Sequence, residues 1–382
     1  MSISQKQPRD FGKRSGLKIP PVSAGTMRLP KDENEAIDLF RQAIDAGMIY
    51  LDCSRGYGET EIVIGKALKD GYREKVILST KWSPWNIKVE DTDDKSADCT
   101  YKRILESIQR LDVEYLDFYH IWSVMNPEQY QGATKKGGML DGIIRAKDEG
   151  LVKHIGMTTH DKPENISKQI ETADWCEVIL FTYNIMNQTY KNVLAQTHEK
   201  GIGTMVMNPV FGGLLNENSP TLNSIIKEAT GLDDPIEAAL RYLAADENID
   251  TILCGLARPS DIMSTIETYQ KPPLSPEQVV AVENEVAKLK PENLGFCTQC
   301  GYCQPCPEGI DIPNIMRAIY AQRVLKCPKR AQGLYNWAIS SDRKVTHPSK
   351  CTECGQCEAK CTQKISIIEE LKYAVKTFEK DI

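Results

Sequence analysis

The sequence of 382 residues predicts an α/β architecture: a (β/α)8 TIM barrel over residues 1–290, then a small, mostly α-helical cysteine-rich domain over residues 291–382. Three observations carry this. Short β-rich stretches alternate with amphipathic ones eight times before residue 290, the rhythm of strand–helix units. No Gly-x-Gly-x-x-Gly follows the first of these stretches, so a doubly wound dinucleotide-binding sheet has no fingerprint. Nine of the thirteen cysteines lie after residue 296.

The strands are expected at Val22–Met27, Ile49–Cys53, Val76–Trp82, Tyr115–Trp122, His154–Thr158, Val178–Tyr183, Thr204–Asn208 and Thr251–Leu256. Together they are short and β-rich, most clearly at Val76–Trp82, Tyr115–Trp122 and Val178–Tyr183. Ile37, Phe40 and Ile44, and later Ile104, Ile108 and Leu111, recur at helical spacing between them. Residues 9–19 precede the first strand and read as a hairpin closing the barrel floor. Ser275–Leu289 reads as a final helix after the last strand.

With 41% hydrophobic and 26% charged residues the chain can bury a large core. No run reaches the apolar length of a spanning helix, and no apolar segment follows the basic residues of the opening MSISQKQPRDFGKRSG. A cytoplasmic protein with no membrane partner is the expectation. The net charge of −6 disfavours nucleic acid as a partner.

Cys53, Cys99, Cys176 and Cys254 are scattered and read as small buried hydrophobes. Eight of the remaining nine form two runs, Cys297-Thr-Gln-Cys300-Gly-Tyr-Cys303-Gln-Pro-Cys306 and Cys351-Thr-Glu-Cys354-Gly-Gln-Cys357-Glu-Ala-Lys-Cys361. Three thiolates at x2 spacing can wrap three corners of a cubane, while the fourth cysteine of such a run reaches the other cluster. Crossing over assigns one [4Fe–4S] cluster to Cys297, Cys300, Cys303 and Cys361, and the other to Cys306, Cys351, Cys354 and Cys357. Zinc, held by four thiolates as two separated pairs, fits the two four-cysteine runs less well. The first run closes with x2 rather than x3, the second lacks a following proline, and Cys327 is a spare. Between the runs, Ile315, Met316, Ile319 and Tyr320, then Leu334, Trp337 and Ala338, stand at helical spacing. The region resembles the α-helical ferredoxin domains in which helices separate two cysteine runs. Residues 321–350 carry seven Lys/Arg against one acid, a solvated basic face or a docking face for an acidic electron carrier.

In a (β/α)8 barrel the chemistry sits at the C-terminal ends of the strands. Those positions hold Asp52, then Tyr57 in Ser54-Arg-Gly-Tyr57-Gly-Glu59, and Lys81. A tyrosine is a poor acid at its free pKa near 10. An adjacent ammonium stabilises its phenolate, and a carboxylate keeps that lysine charged. Trp82, Trp85 and Trp122 cluster at the same ends and suit an apolar or ring-shaped substrate.

Gly25-Thr26-Met27, Leu51-Asp52-Cys53, Tyr57-Gly58-Glu59, Thr80-Lys81, Tyr115-Leu-Asp-Phe-Tyr119, Ile155-Gly-Met-Thr158-Thr159 and Asn208-Pro209, with the two cysteine runs, make the sequence resemble the aldo-keto reductase family. The resemblance is to its branch with a C-terminal ferredoxin-like extension and spans nearly the whole chain. It implies hydride transfer from NADP(H) to a small-molecule carbonyl, with Tyr57 as proton donor tuned by Lys81 and Asp52. It further implies cofactor contacts at Gly25, Thr26, Met27, Asp52, Thr158, Thr159, Met207, Asn208, Pro209 and Arg258.

Several positions depart from the family pattern. Trp122 stands where a histidine usually orients the carbonyl. The available imidazole, His120, lies two residues earlier on the same strand face, about 6–7 Å deeper. Leu180 replaces a glutamine that holds the nicotinamide amide, Thr158-Thr159 a Ser-Asn pair, and Met207 a stacking aromatic ring. Thr265 stands where an adenine-binding asparagine is common.

Hydride transfer moves two electrons together, whereas iron–sulfur clusters pass them singly, and a flavin is one way to join the two. No flavin fingerprint is present, though a barrel mouth can hold FMN without one. Three readings follow. The leading one is an NADP(H)-dependent carbonyl reductase carrying two clusters. The second is a reductase of a carbonyl or activated alkene, fed through the clusters by ferredoxin or flavodoxin. The third is a non-enzymatic electron-transfer or redox-sensing subunit, which the presence of Asp52, Tyr57 and Lys81 argues against.

Overall fold

The computed structural model describes residues 8–216, 219–289, 297 and 300–379, apart from the side chain of Asp342. An antiparallel hairpin of β1 (Arg9–Asp10) and β2 (Lys18–Ile19) precedes eight parallel strands. These are β3 (Val22–Gly25), β4 (Tyr50–Asp52), β5 (Ile77–Trp82), β6 (Leu116–Val124), β7 (Val152–Thr159), β8 (Val178–Thr182), β9 (Gly203–Met207) and β10 (Thr251–Gly255). Each pairs with its successor and β10 returns to β3, so the barrel closes without an edge. All eight expected strands are present, with ends displaced by two residues at most.

The hairpin expectation also holds, and its chemistry is specific. Phe11, fully buried, points into the barrel among Tyr50, Phe118, Val178 and Met205. Its ring centre lies 5.6 Å from that of Tyr50 and 5.4 Å from that of Phe118. Gly12 has φ +61°, and a Cβ there would meet the Gly203 nitrogen at 2.3 Å, so only glycine lets the hairpin approach β9.

Asp250 fastens this floor by accepting the Gly12 and Thr204 backbone N–H groups at 3.0 and 2.9 Å. Burial pushes its carboxyl up to about 6 from an ordinary 3.8. A carboxyl raised on folding contributes stability below its unfolded pKa, and that contribution is lost as pH climbs through the folded value. Urea unfolding from pH 4 to 7 is therefore expected to show native stability falling relative to Asp250→Asn, by roughly 2 kcal/mol. The amide keeps an acceptor oxygen but does not ionise.

Outside the strands, the helix Ala97–Leu111 starts at Ser96, whose side chain accepts the Cys99 N–H, and buries Thr100, Ile104, Ser107 and Leu111. Three of the four scattered cysteines, Cys53, Cys176 and Cys254, are buried as expected. Cys99 is only half-buried, because it lies in the first turn of that helix with its thiol 3.4 Å from the Asp93 carboxylate.

A second compact unit gathers residues 185–187, 210–242 and 274–382. The expected boundary at 290–291 lies outside the described residues. The expected terminal helix is present as Pro276–Leu289, and Gln278 Nε2 donates to the Thr230 carbonyl at 2.7 Å. The cysteine-rich part is helical, with Ile312–Arg323, Pro328–Ala338 and Ile367–Phe378 packing Ile315, Ile319, Leu334, Tyr335, Leu371 and Phe378 together. One expectation fails. Trp337 shares the helical stripe of Leu334 and Ala338 yet is 53% exposed, lying at the stripe's edge with the Arg343 guanidinium 3.9 Å from its ring centre. Two of the basic residues of this stretch are committed within the unit: Arg323 pairs with Glu370 at 2.8 Å and Arg343 with Asp311 at 2.5 Å. Among the described residues no helix is long and apolar enough to cross a membrane.

Candidate active site and cysteine recesses

The barrel mouth is built on a buried ion pair. Lys81 Nζ donates to Asp52 Oδ2 at 2.6 Å and to the Cys53 carbonyl at 2.6 Å, with the side chains 1% and 6% exposed. Ser79 Oγ donates to the other carboxylate oxygen at 3.3 Å. An ammonium has three protons, so one remains uncommitted to these two acceptors. The Tyr57 ring centre stands 4.9 Å from Nζ. The three strand-end residues expected to cooperate are thus together.

Tyr57 is carried on a loop held from below. Its carbonyl accepts the Thr60 hydroxyl at 2.7 Å, and the next carbonyl, of Gly58, accepts Arg110 Nη2 at 2.8 Å. Arg110 also binds Glu61 at 3.0 Å, and fully buried Glu61 takes the Thr80 hydroxyl at 2.8 Å, one residue before Lys81. Glu61 and Arg110 escaped the sequence reading. The only signal was the placement of Glu61 four residues after Tyr57, on the first turn of a helix.

Trp122 stands at the mouth beside Tyr57, edge to face, with ring centres 5.7 Å apart. Its backbone is clamped: Ser83 Oγ accepts its N–H at 2.9 Å, and its carbonyl accepts Trp85 Nε1 at 3.0 Å and Asn86 Nδ2 at 2.9 Å. A Cβ on Gly56 would meet the indole at 2.5 Å, so the Ser54-Arg-Gly-Tyr57 turn needs glycine for this ring. Trp82, fully buried, donates its indole N–H to the Ile87 carbonyl at 3.0 Å.

His120 belongs to the core. It is fully buried, with Nε2 3.0 Å from the Tyr50 hydroxyl and its ring stacked with Phe118. A Cβ on Gly156 would meet its Nδ1 at 2.4 Å. Burial, and then the Lys81 charge, hold its pKa well below the ordinary imidazole range, so it is a neutral ring beneath the ion pair. The mouth has another imidazole that the sequence reading passed over. His160, directly after Thr158-Thr159, is buried with Nδ1 3.3 Å from the Thr182 hydroxyl.

The expected cofactor positions separate into groups. Gly25 pairs in register with Asp52, and the buried Thr26 hydroxyl donates to the Asp52 carbonyl at 2.9 Å, while Met27 is exposed. Thr158 Oγ1 accepts the Ser123 N–H at 2.6 Å and retains its own proton, but the Thr159 hydroxyl is used between the Val124 carbonyl and the Asp161 N–H. Leu180 lies in the barrel core, with Met207 packed against the same cluster. Asn208 adopts a left-handed backbone, φ +65°, ahead of Pro209. Its side-chain Nδ2 and the Ser123 hydroxyl, the latter on a bulge in β6 at φ +58°, are buried without a partner among the described residues. Arg258 caps the helix Pro259–Gln270 with its guanidinium 74% exposed and 3.3 Å from Asp261, and Thr265 lies on that helix.

In the second unit the two crossed-over cysteine sets stand around two recesses. One is lined by Cys297, Cys300, Cys303 and Cys361 with Ile312 and Met316; the other by Cys306, Cys351, Cys354 and Cys357 with Ile312 and Leu371. Ile312 is the shared wall. Cys327 borders neither recess, its thiol 3.2 Å from the Leu325 carbonyl. Thiols spread around a recess suit the corners of a cubane.

A closed parallel barrel with a Tyr, Lys and Asp at its strand ends, followed by a helical unit with two four-cysteine recesses, defines a barrel oxidoreductase with an iron–sulfur extension. Residues 21–286 match the model of the aldo/keto reductase family and residues 296–366 that of the 4Fe-4S dicluster domain. The chain belongs to the aldo/keto reductase family. It is 27% identical over 287 residues to L-galactose dehydrogenase of Arabidopsis thaliana, covering 66% of this chain and 85% of that protein. It is 25% identical over 197 residues to the NADH-specific methylglyoxal reductase of Escherichia coli, covering 48% and 59%. The barrel also superimposes on the holo form of aldo-keto reductase AKR11C1 from Bacillus halodurans, with TM-score 0.62, 22% identity and coverage of 73% and 96%.

Proposed function

We propose that the barrel reduces the carbonyl group of a small molecule with NADP(H), Tyr57 delivering the proton to the carbonyl oxygen. The observation that carries this reading is the buried Lys81–Asp52 pair beside the Tyr57 ring. Bound NADPH supplies the hydride. The chain then has to place the carbonyl, hold the proton and stabilise the phenolate left behind, and Lys81 is set for the last of these, because a desolvated ammonium stabilises an adjacent anion strongly. Asp52 keeps that ammonium in place. Trp122 walls the site beside Tyr57 with a group that cannot titrate, and so does not compete for the proton.

The residues at the mouth fit a nicotinamide cofactor in part. Asn208 Nδ2 and Ser123 Oγ are buried polar atoms awaiting partners, and the Thr158 proton is unspent. These can meet a carboxamide that Leu180 cannot. Arg258, exposed at a helix N-terminus, suits a 2′-phosphate. In the second unit Cys297, Cys300, Cys303 and Cys361 would hold one [4Fe–4S] cluster, and Cys306, Cys351, Cys354 and Cys357 the other. The apolar Leu180–Met207 surface favours a second reading, in which a ferredoxin or flavodoxin feeds the barrel through the clusters.

Anaerobic titration of the cluster-loaded protein with NADPH, following nicotinamide fluorescence and cluster absorbance together, separates the readings. Tight binding with unchanged clusters is expected. Rapid bleaching would show that hydride electrons reach the clusters, and no binding at all would favour the carrier-fed reading.

A further inference from the structure

We propose that a groove on the rim of the barrel mouth holds an anionic tail of the substrate, a carboxylate or phosphate ester remote from the reducible carbonyl. The inference rests on the carbonyl-reductase reading above. The groove encloses about 510 Å³ and is lined chiefly by Trp85, Lys88, Asp93, Asp94, Lys95 and Lys135. That volume lies within the range of small-molecule sites, about 300–1,000 Å³.

Its walls are fixed. The loop after β5 and the loop after β6 are joined where Ser96 bridges Gly138 and the Ala97 N–H donates to the Gly137 carbonyl at 2.9 Å. Lys95 runs along Gly132, where a Cβ would come within 3.0 Å of its side chain. Trp85 forms the wall towards the catalytic mouth. Its indole N–H is shared between the Trp122 and Ser123 carbonyls at 3.0 and 2.9 Å, so a single indole and the β6 backbone separate the groove from the Trp122–Tyr57 edge.

The charges in the groove do not cancel. Asp93 is held by Arg103 at 2.9 Å, a guanidinium it shares with Glu90 and Glu106, and accepts the Val89 and Glu90 N–H groups. Asp94 takes the Ser96 N–H at 2.8 Å. Against these stand three ammonium groups. Lys88 donates to the Asp91 carbonyl at 3.2 Å, and Lys95 and Lys135 are exposed with no acidic partner among the described residues. An anion between Lys95 and Lys135, with its chain or ring against Trp85, completes this set.

The occupant is the substrate and not the cofactor phosphate. Arg258 follows β10, and around the closed barrel β6 is the strand opposite β10, with β5 beside it. A cofactor phosphate at Arg258 and an anion at Lys95 therefore approach the mouth from opposite sides.

Octanal, the ω-oxo derivative of octanoate and ω-oxo-octyl phosphate, assayed with NADPH on the full-length protein and on the double variant Lys95→Ala/Lys135→Ala, test the proposal. For the anionic aldehydes KM is expected to rise roughly tenfold with little change in kcat, while octanal is unaffected. The double Lys→Arg variant should retain the preference, and the more affected of the two anions identifies the tail. Calorimetry with non-reducible octanedioate reads the groove without chemistry. Octanedioate binding weakened by the double Ala variant supports the groove even if no aldehyde is reduced, in which case the reductase reading alone fails. Octanedioate and charged-aldehyde parameters that do not respond to the lysines overturn it.

Discussion

Tyr57→Phe is expected to lower kcat/KM for carbonyl reduction by about 10²–10⁴-fold, the range for removing a positioned general acid, with NADPH affinity unchanged. The substitution removes one oxygen and leaves the ring against Trp122 and Lys81 in place. Neither Trp122 nor His120 can take over. Trp122 has no titratable proton to give, and His120 is buried beneath the ion pair and bonded to Tyr50. The loss should fall on kcat more than KM, because the proton is needed only as charge develops on oxygen. Steady-state kinetics paired with fluorescence titration of NADPH measures both. A variant retaining most of its activity would remove Tyr57 from the reaction.

Lys81→Met carries the largest expected effect on stability. It leaves Asp52 buried, with Ser79 as its remaining side-chain donor at 3.3 Å. An uncompensated buried charge of this kind costs about 3–5 kcal/mol. The Cys53 carbonyl loses its donor at the same time. Adding Asp52→Asn to the same chain removes the stranded charge and should restore much of the stability, because a neutral amide can be buried at lower cost than an unpaired carboxylate. It should not restore the rate, since no ammonium is then present to stabilise the phenolate. Urea midpoints for the two single variants and the double variant, with kcat for each, separate the structural role of the pair from the chemical one. Equal stability loss in Lys81→Met and the double variant would mean that Asp52 is not stranded by the first substitution.

Much of this was legible in the sequence because it depends on local pattern. Strands such as Val178–Thr182 announce themselves by short runs dominated by β-branched and aromatic residues, and strand ends in a barrel are where its chemistry is sought. The pairing of Cys361 with the first cysteine run, and of Cys306 with the second, followed from spacing and cluster geometry, and the two recesses carry the same sets. What stayed hidden depends on contacts between distant segments. Glu61 and Arg110 are 49 residues apart, and nothing local marks them as the brace of the Tyr57 loop. The clamp on Trp122 needs the loop after β5 folded over β6. Trp337 departs from expectation because helical spacing defines a stripe but not its edges, and its ring meets the Arg343 guanidinium while staying largely exposed. His160 carries no local signal, because its place at the mouth is set by Thr182, 22 residues further along the chain.

Passage of hydride from NADPH to a carbonyl at the barrel mouth can be followed by isotope. Anaerobic incubation with an aldehyde and NADPH deuterated at both C4 positions is followed by mass spectrometry of the alcohol. One deuterium on the carbinol carbon of each product molecule, lost together with turnover in Tyr57→Phe, is the predicted result. Unlabelled alcohol, or alcohol formed only when a reduced ferredoxin or flavodoxin is supplied, would contradict it.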